Sequence, residues 1–495
     1  MSRISIDDLE KYLWGSAELL RTNIDAGAYK QYIFPLLFLK RMSDIYDEET
    51  EKAIEEFGEA ALEWDETHIF DIPEGAHWED VRNKSQNIGK ALVTAFRKIE
   101  KANPDKLQGI FGDAAWTNKD RLPDRLLKDL IEHFSSQTLS LENCPEDELG
   151  QGYEYLVKKF ADDSGHTAQE FYTNRTVVRL MTEILKPRSE ESIYDPTCGS
   201  AGMLISCIQY LKDHDQEWRN VAAYGQEINN LTSAIGRMNL FLHGVNDFHI
   251  ANGDTLKNPS FIEHGKLKTF DIVLANPPYS ISQWDRAAFE TDKYGRNFLG
   301  VPTQRRADFA FIQHILKSMD PINGRCAILL PNGVLNRYEE QDMRIGMVKA
   351  DYVDAVINIG KGLFYNSPME ACVMICRTQK APERKDKIIF IDATEQVAKR
   401  GTESYLTNEN IKTIQDAYFS YHDIESLCSV KKVEEVLDNN GSLRVQLYVH
   451  RESGGIDIEL IPYESAIRNW ESSSSRMHAY YESLVKLMEG TGNDR

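Results

Sequence analysis

The residues of this chain best suited to chemistry are Asn276-Pro277-Pro278-Tyr279. Two hydrogen-bond acceptors stand side by side there, the Asn276 side-chain oxygen and the Pro277 carbonyl, and proline adds a fixed φ without an N–H of its own. Such a pair suits one task. An amino nitrogen conjugated to an aromatic ring or a carbonyl is a poor nucleophile because its lone pair is delocalised. Acceptors aimed at its two N–H bonds draw it toward tetrahedral geometry and stabilise the positive charge that grows on it as it attacks. Tyr279 adds a flat face for the group that carries the amine, a contact worth roughly 1–3 kcal/mol when that group is a nucleobase. The structural alternative is a strand that ends in a proline-stiffened loop, and short motifs often have such origins.

These residues need a frame. Residues 270–275 carry five apolar side chains broken only by Asp271 and stop at a Pro-Pro pair, which predicts a buried strand. The carboxyl ends of strands are where open α/β sheets place their chemistry. Three more predicted strands end in comparable residues. Ser192-Ile193-Tyr194 leads into the small-residue turn Asp195-Pro196-Thr197-Cys198-Gly199-Ser200-Ala201-Gly202-Met203, where backbone can approach a ligand at a helix N-terminus. Residues 221–224 end in Gly225-Gln226-Glu227, an acid where ribose hydroxyls lie in nucleotide-binding sheets. Residues 248–250 end in Asn252-Gly253-Asp254, a second acid, to which an adenine amino group could donate. Four such ends on one edge predict a Rossmann-like, doubly wound α/β sheet.

In that order, the four stations resemble an S-adenosyl-L-methionine-dependent amino-methyltransferase, and Asn-Pro-Pro-Tyr looks like the catalytic motif of those acting on adenine N6. The resemblance narrows further. Residues 165–173, 195–203, 224–228, 252–256 and 275–279, preceded by the helix at 32–41, are similar to the modification (M) subunit of type I restriction–modification systems over nearly the whole chain. It implies N6 methylation of an adenine flipped out of double-stranded DNA, with Asn276, Pro277, Pro278 and Tyr279 as the catalytic residues. It also implies that Gln169, Glu170, Phe171, Tyr172, Thr173, Asn174, Asp195, Thr197, Gly199, Ser200, Ala201, Gly202 and Glu227 hold the cofactor, with Asp254 on its adenine. The partners implied are a separate specificity (S) subunit that reads a split sequence and a restriction (R) subunit with the ATP-dependent motor. The chain departs from the family pattern twice. Ala201 replaces a usual glycine, which matters if that position needs a positive φ, and Asn174 replaces a usual proline, which is expected to loosen its loop.

The remainder frames this reading. A net charge of −21 is poor for gripping nucleic acid unaided, so a local basic patch or a partner must supply the grip. The loop 280–307 offers Trp284, Lys293, Tyr294, Arg296, Arg305 and Arg306 as candidates for phosphate contacts around an extruded base. By resemblance, Asp308-Phe309-Ala310-Phe311 opens a helix on the target side. Gly360-Lys361-Gly362 is similar to a phosphate loop but has Ala355 where a P-loop needs glycine, and no Walker A motif occurs. The seven cysteines show no zinc spacing and fit a reducing cytoplasm; no signal peptide or membrane span is evident. Three regions are expected: a helical domain at 1–160, the catalytic domain at 161–390, and a connector at 391–495. The connector is read as a helix at 406–421, a strand at 441–448 and an apolar stripe at 463–488 that, by resemblance, packs on the specificity subunit. Two other readings remain: an amino-methyltransferase for a protein glutamine or an RNA base, and a non-catalytic scaffold of a defence assembly.

Overall fold

The computed structural model describes residues 3–64, 67–163, 173–245, 247–363, 370–401 and 403–450, with 467, 470, 472–478, 480 and 481 beyond them. Residues 1–450 and 451–495 form two compact units. In the first, a nine-stranded sheet is assembled, among the described residues, from β1 (Ser192–Asp195), β2 (Ala222–Glu227), β3 (Phe248–Asn252), β4 (Ile272–Ala275), β5 (Arg325–Pro331), β6 (Val353–Ile359), β7 (Ala371–Arg377), β8 (Lys387–Ala393) and β9 (Cys428–Lys432). Their order across the sheet is β9-β8-β6-β7-β5-β4-β1-β2-β3. Only β7 and β9 run antiparallel to their neighbours. The carboxyl ends of the other seven therefore share one edge. Strand order reverses between β1 and β4, and a crevice opens at such a reversal.

Alternate side chains of the central strands feed two cores, as the two-residue period of a strand requires. Ile193, Ile272, Leu274, Ala327 and Leu329 face one core, which is continuous with the N-terminal helices. Tyr194, Val273, Ala275, Ile328 and Leu330 face the other. Burial on both faces explains why β4 through β8 are mostly apolar along their length instead of alternating. The N-terminal region is helical: α1 (Ile6–Leu20), α2 (Lys30–Phe57), α3 (Ile88–Ala102), α4 (Asp124–Ser135) and α5 (Glu146–Asp163). It is tied to the sheet layer through α8 (Asn230–Leu242), where Phe38 meets Phe241 at 5.2 Å and the Tyr153 hydroxyl donates to the Ile235 carbonyl at 3.1 Å. Between these come α6 (Arg175–Leu185) and α7 (Gly202–Asp213), and α9 (Asp308–Lys317) lies in the second core.

Two expectations about the connector are corrected. The sheet does not stop at 390: Lys387–Ala393 and Cys428–Lys432 extend it, with the helix Asn408–Ser420 between them. Residues 441–448 form no strand and contain a 3-10 turn, Val445–Leu447, instead. Leu443, Val445 and Tyr448 fill the second core from a loop, and the Leu443 N–H is taken by the Leu335 carbonyl, not by a ladder. Their alternation reported one-sided burial without reporting a partner strand. The stripe at 463–488 lies largely outside the described residues; helix occurs at 472–478. Among the described residues no helix is long and apolar enough to cross a membrane.

Candidate active site

The turn after β1 is built on two left-handed residues, Gly199 at φ +52° and Ala201 at φ +63°. The substituted glycine position is thus the kind that disfavours a Cβ, by about 1 kcal/mol or more. Ala201 is fully buried, and α8 makes room for its methyl with Gly236, where any Cβ would meet the Gly199 carbonyl at 2.8 Å. Across the turn, Glu227 at the end of β2 accepts the Gly199 N–H at 3.1 Å and the Asn229 N–H at 2.8 Å. Asp195 is 2% exposed and accepts the Thr197 N–H at 2.9 Å. Burial, with Glu227 alongside, pushes its carboxyl up to about 7. Cys198 is buried, and desolvation beside these two acids holds its thiol protonated, so it is no nucleophile.

Asp254 sits one turn past β3, where its Oδ1 accepts the N–H groups of Leu256 at 2.9 Å and Lys257 at 3.1 Å. Beside Glu227 the sequence reading missed the use of Ile228, whose side chain is 66% exposed on this edge. An apolar face next to an acid at a strand's carboxyl end offers a platform for a flat ring. A left-handed turn whose backbone is open to approach, an acid for ribose hydroxyls, an apolar ledge and a second acid beyond it fit a nucleoside cofactor with a cationic tail. Asp195 and Glu227 suit its positive charge, and Asp254 its adenine amine.

The Asn276–Tyr279 turn stands across the β1/β4 reversal from these groups. Asn276 Nδ2 donates to Thr173 Oγ1 at 3.0 Å, which aims Oδ1 the other way, and Oδ1 accepts the Tyr279 hydroxyl at 2.6 Å. Most of the loop that precedes Asn174 lies outside the described residues, while Asn174 itself is held at both ends of its side chain. Its side chain caps α6 by accepting the Thr176 N–H at 3.0 Å, and its Nδ2 donates to the Ser404 carbonyl at 2.9 Å. Gln169, Glu170, Phe171 and Tyr172 lie outside the described residues.

After Tyr279 the chain is clamped. Ser280 takes φ +50°, and its N–H is accepted by Asp308 Oδ1 at 3.1 Å. Arg337 donates to Asp308 Oδ2 at 3.0 Å and to Ser280 Oγ at 3.2 Å, and lies 3.6 Å from Glu340. Asp308 and Glu340 are almost wholly buried, and burial lifts the Glu340 carboxyl to about 7. Asp308 therefore anchors the catalytic turn, a role that residue spacing gave no sign of.

Two of the six candidate phosphate contacts are withdrawn by the fold. Arg296 is 2% exposed: it pairs with Asp292 at 2.6 Å and donates to the carbonyls of Thr255 and Leu256, welding the loop to the Asp254 segment. Trp284 is buried with Phe289 and Phe311, its Nε1 donating to the Gln304 carbonyl at 3.0 Å. They form the loop's own core. Lys293 and Arg305 are exposed, and Arg306 is half-buried.

Comparison with known proteins places the chain in a family. The family model described as N-6 DNA Methylase matches residues 145–454, and that of the HsdM N-terminal domain matches residues 9–134. The MjaVIII type I restriction enzyme methylase subunit of Methanocaldococcus jannaschii is 30% identical over 484 residues, 93% of this chain and 81% of that protein. The HindI methylase subunit of Haemophilus influenzae is 29% identical over 381 residues, 74% of this chain and 84% of its own. The crystal structure of a type I restriction-modification methyltransferase subunit from Streptococcus thermophilus superposes with a TM-score of 0.79 at 28% identity, covering 90% of this chain and all of that one. The chain thus belongs to the type I restriction enzyme methylase (M) subunits, a family of S-adenosyl-L-methionine-dependent methyltransferases.

Proposed function

We propose that this chain methylates adenine N6 at specific sites in double-stranded DNA, acting on a base turned out of the helix. The observation that carries the reading is the Asn276 amide at the end of β4, its nitrogen committed to Thr173 so that its oxygen is left as the acceptor, on the strand next to the one that ends in Asp195. An adenine within a duplex cannot reach the end of a strand inside a cleft, so extrusion is required. Tyr279 stacks on the extruded ring. The Asn276 oxygen and the Pro277 carbonyl accept the two N6 hydrogens and stabilise the charge that develops during attack. The amide oxygen now accepts the Tyr279 hydroxyl, and its second lone pair serves the amine.

S-adenosyl-L-methionine, when bound, supplies a methyl group made electrophilic by its sulfonium. Glu227 and Gly199 hold the ribose side, Ile228 and Asp254 the adenine, and Asp195 faces the cationic tail. Transfer is direct and in line, and no covalent bond to the protein is needed. The acidic chain depends on a specificity subunit to grip and read DNA. A separate restriction subunit carries the motor, for which this chain has no Walker A motif.

The test is modified-base sequencing of DNA from a methylation-free host carrying this gene with its specificity partner, against the same pair with Asn276→Ala. N6-methyladenine at one split motif, with turnover lower by roughly 10²–10³ in the variant, is the expected result. Unmarked DNA from an assembled wild-type pair refutes the reading in favour of a scaffold or a protein or RNA substrate.

A further inference from the structure

A polar cavity of about 260 Å³ opens beyond the carboxyl end of β5, lined by Asn332, Gly333, Asn336, Glu370, Arg444 and Gln446. The catalytic chemistry above makes no use of it. Its wall is joined to the catalytic turn by one side chain: the Arg337 N–H donates to the Gly333 carbonyl at 3.1 Å, while the guanidinium reaches Ser280 Oγ at 3.2 Å. Strand register agrees. Ala275 pairs with Ile328, so Asn276 is level with Leu329, and Asn332 lies three residues, about 10 Å, farther out along the strand direction. The cavity is thus one strand over from the catalytic amide and on its solvent side.

The lining has unmet bonding capacity. Asn332 Oδ1 is buried without a hydrogen-bond partner, an arrangement that a native fold rarely leaves unused. Arg444 has no ion pair among the described residues, in a chain of net charge −21. Glu370 on the rim is answered by Lys361 at 3.2 Å, and Lys361 belongs to the Gly360-Lys361-Gly362 turn at the end of β6. A carboxylate next to two cations leaves the site with surplus positive charge, and its amides offer both donors and acceptors.

We propose that this cavity holds the sugar–phosphate backbone flanking the extruded adenine, with Arg444 and Lys361 on phosphate oxygens and Asn332 and Asn336 on the sugar and bridging oxygens. The proposal rests on the DNA reading above. A base stacked on Tyr279 leaves its own sugar and phosphates close to the ring, and the cavity opens one strand over, beyond the same carboxyl edge of the sheet.

The experiment uses the assembled complex with its specificity subunit and unmethylated plasmid duplex. DNA binding is measured against salt concentration, together with methyl-transfer kinetics and cofactor binding. Arg444→Ala is expected to raise the KM for DNA about tenfold and to make the slope of log affinity against log salt shallower by about one, with kcat at saturating DNA within about twofold and cofactor affinity unchanged. Arg444→Lys is expected to restore the slope, and Lys361→Ala to repeat the Arg444→Ala pattern. Lys412→Ala, on the exposed face of the Asn408–Ser420 helix, controls for charge alone. An unchanged slope and KM in Arg444→Ala overturn the proposal, as does loss of complex assembly, which would make the cavity a seat for protein. Absence of methyl transfer by the unsubstituted complex counts against the functional reading instead, because the salt slope still tests the cavity by itself.

Discussion

Asp308 offers a decisive perturbation because it takes no part in the proposed chemistry yet fixes the turn to which that chemistry is assigned. Replacing it with alanine removes the acceptor of the Ser280 N–H at 3.1 Å and the partner of Arg337 at 3.0 Å, in a pair whose side chains are 1% and 15% exposed. Breaking a buried pair from one side costs about 3–5 kcal/mol. Glu340, 3.6 Å from the same guanidinium, keeps the loss near the lower bound. Asparagine keeps an acceptor for the Ser280 N–H and loses only charge, about 1–2 kcal/mol. Catalysis should suffer separately. Ser280 holds φ +50° against a preference of about 1–2 kcal/mol for the right-handed region, and without its anchor the backbone relaxes. A shift of 1 Å in a reacting group costs about 10² in rate. We therefore expect kcat to fall about 10²-fold in Asp308→Ala and about tenfold in Asp308→Asn, with cofactor affinity unchanged because, among the described residues, no cofactor-side group bonds to Asp308. The assay is single-turnover methyl transfer to saturating DNA, paired with calorimetric cofactor titration and a thermal melt. A folded Asp308→Ala variant with kcat within about threefold of wild type refutes the reasoning, as does a loss confined to cofactor affinity.

Tyr279→Phe, which removes a hydroxyl that competes for the Asn276 oxygen, should leave kcat within about threefold, whereas Tyr279→Ala should raise the KM for DNA about tenfold or more through lost stacking; steady-state kinetics on both variants checks this. The Asp195 carboxyl, lifted by burial from 3.8 to about 7, makes the unliganded fold bind more protons than the unfolded chain between those values. Its stability contribution therefore falls as pH rises through that window. A cationic cofactor favours the ionised form, so its affinity should climb as pH passes 7 and level off above. Asp195→Asn should flatten that dependence in thermal-shift titrations with cofactor between about pH 5.5 and 8.5.

The placement of the stations at the strand ends was legible because each is a contiguous run whose backbone geometry comes from neighbouring residues. Asp195 to Gly202, Glu227, Asp254 and Asn276 to Tyr279 needed only the sheet to gather them, and the direction of parallel strands does that. What escaped the sequence depends on contacts between distant segments. Nothing near Asp308 announces Arg337 or Ser280, and nothing marks Arg296 as a buried tie instead of a free cation; each needed the loop's path. The run Ile388-Ile389-Phe390-Ile391 reads plainly as a strand in retrospect, and its position across the expected boundary at 390 shows how a presumed boundary hides a periodic signal. The alternation at 441–448 had the opposite fault, because a loop lying on a core alternates as a strand does.

The pairing of Ala201 with Gly236 has a consequence for how such a sequence can drift. Position 201 can pass between alanine and glycine with little net change, since relief of the left-handed φ is offset by the lost methyl burial and the added chain entropy, each about 1 kcal/mol. Position 236 has no such freedom. A methyl group there lands 2.8 Å from the Gly199 carbonyl and displaces the N–H that Glu227 holds. Substitutions that retune the turn can accumulate at 201 over generations, while the helix behind it must stay bare at one point, so the two positions record different histories although their atoms touch.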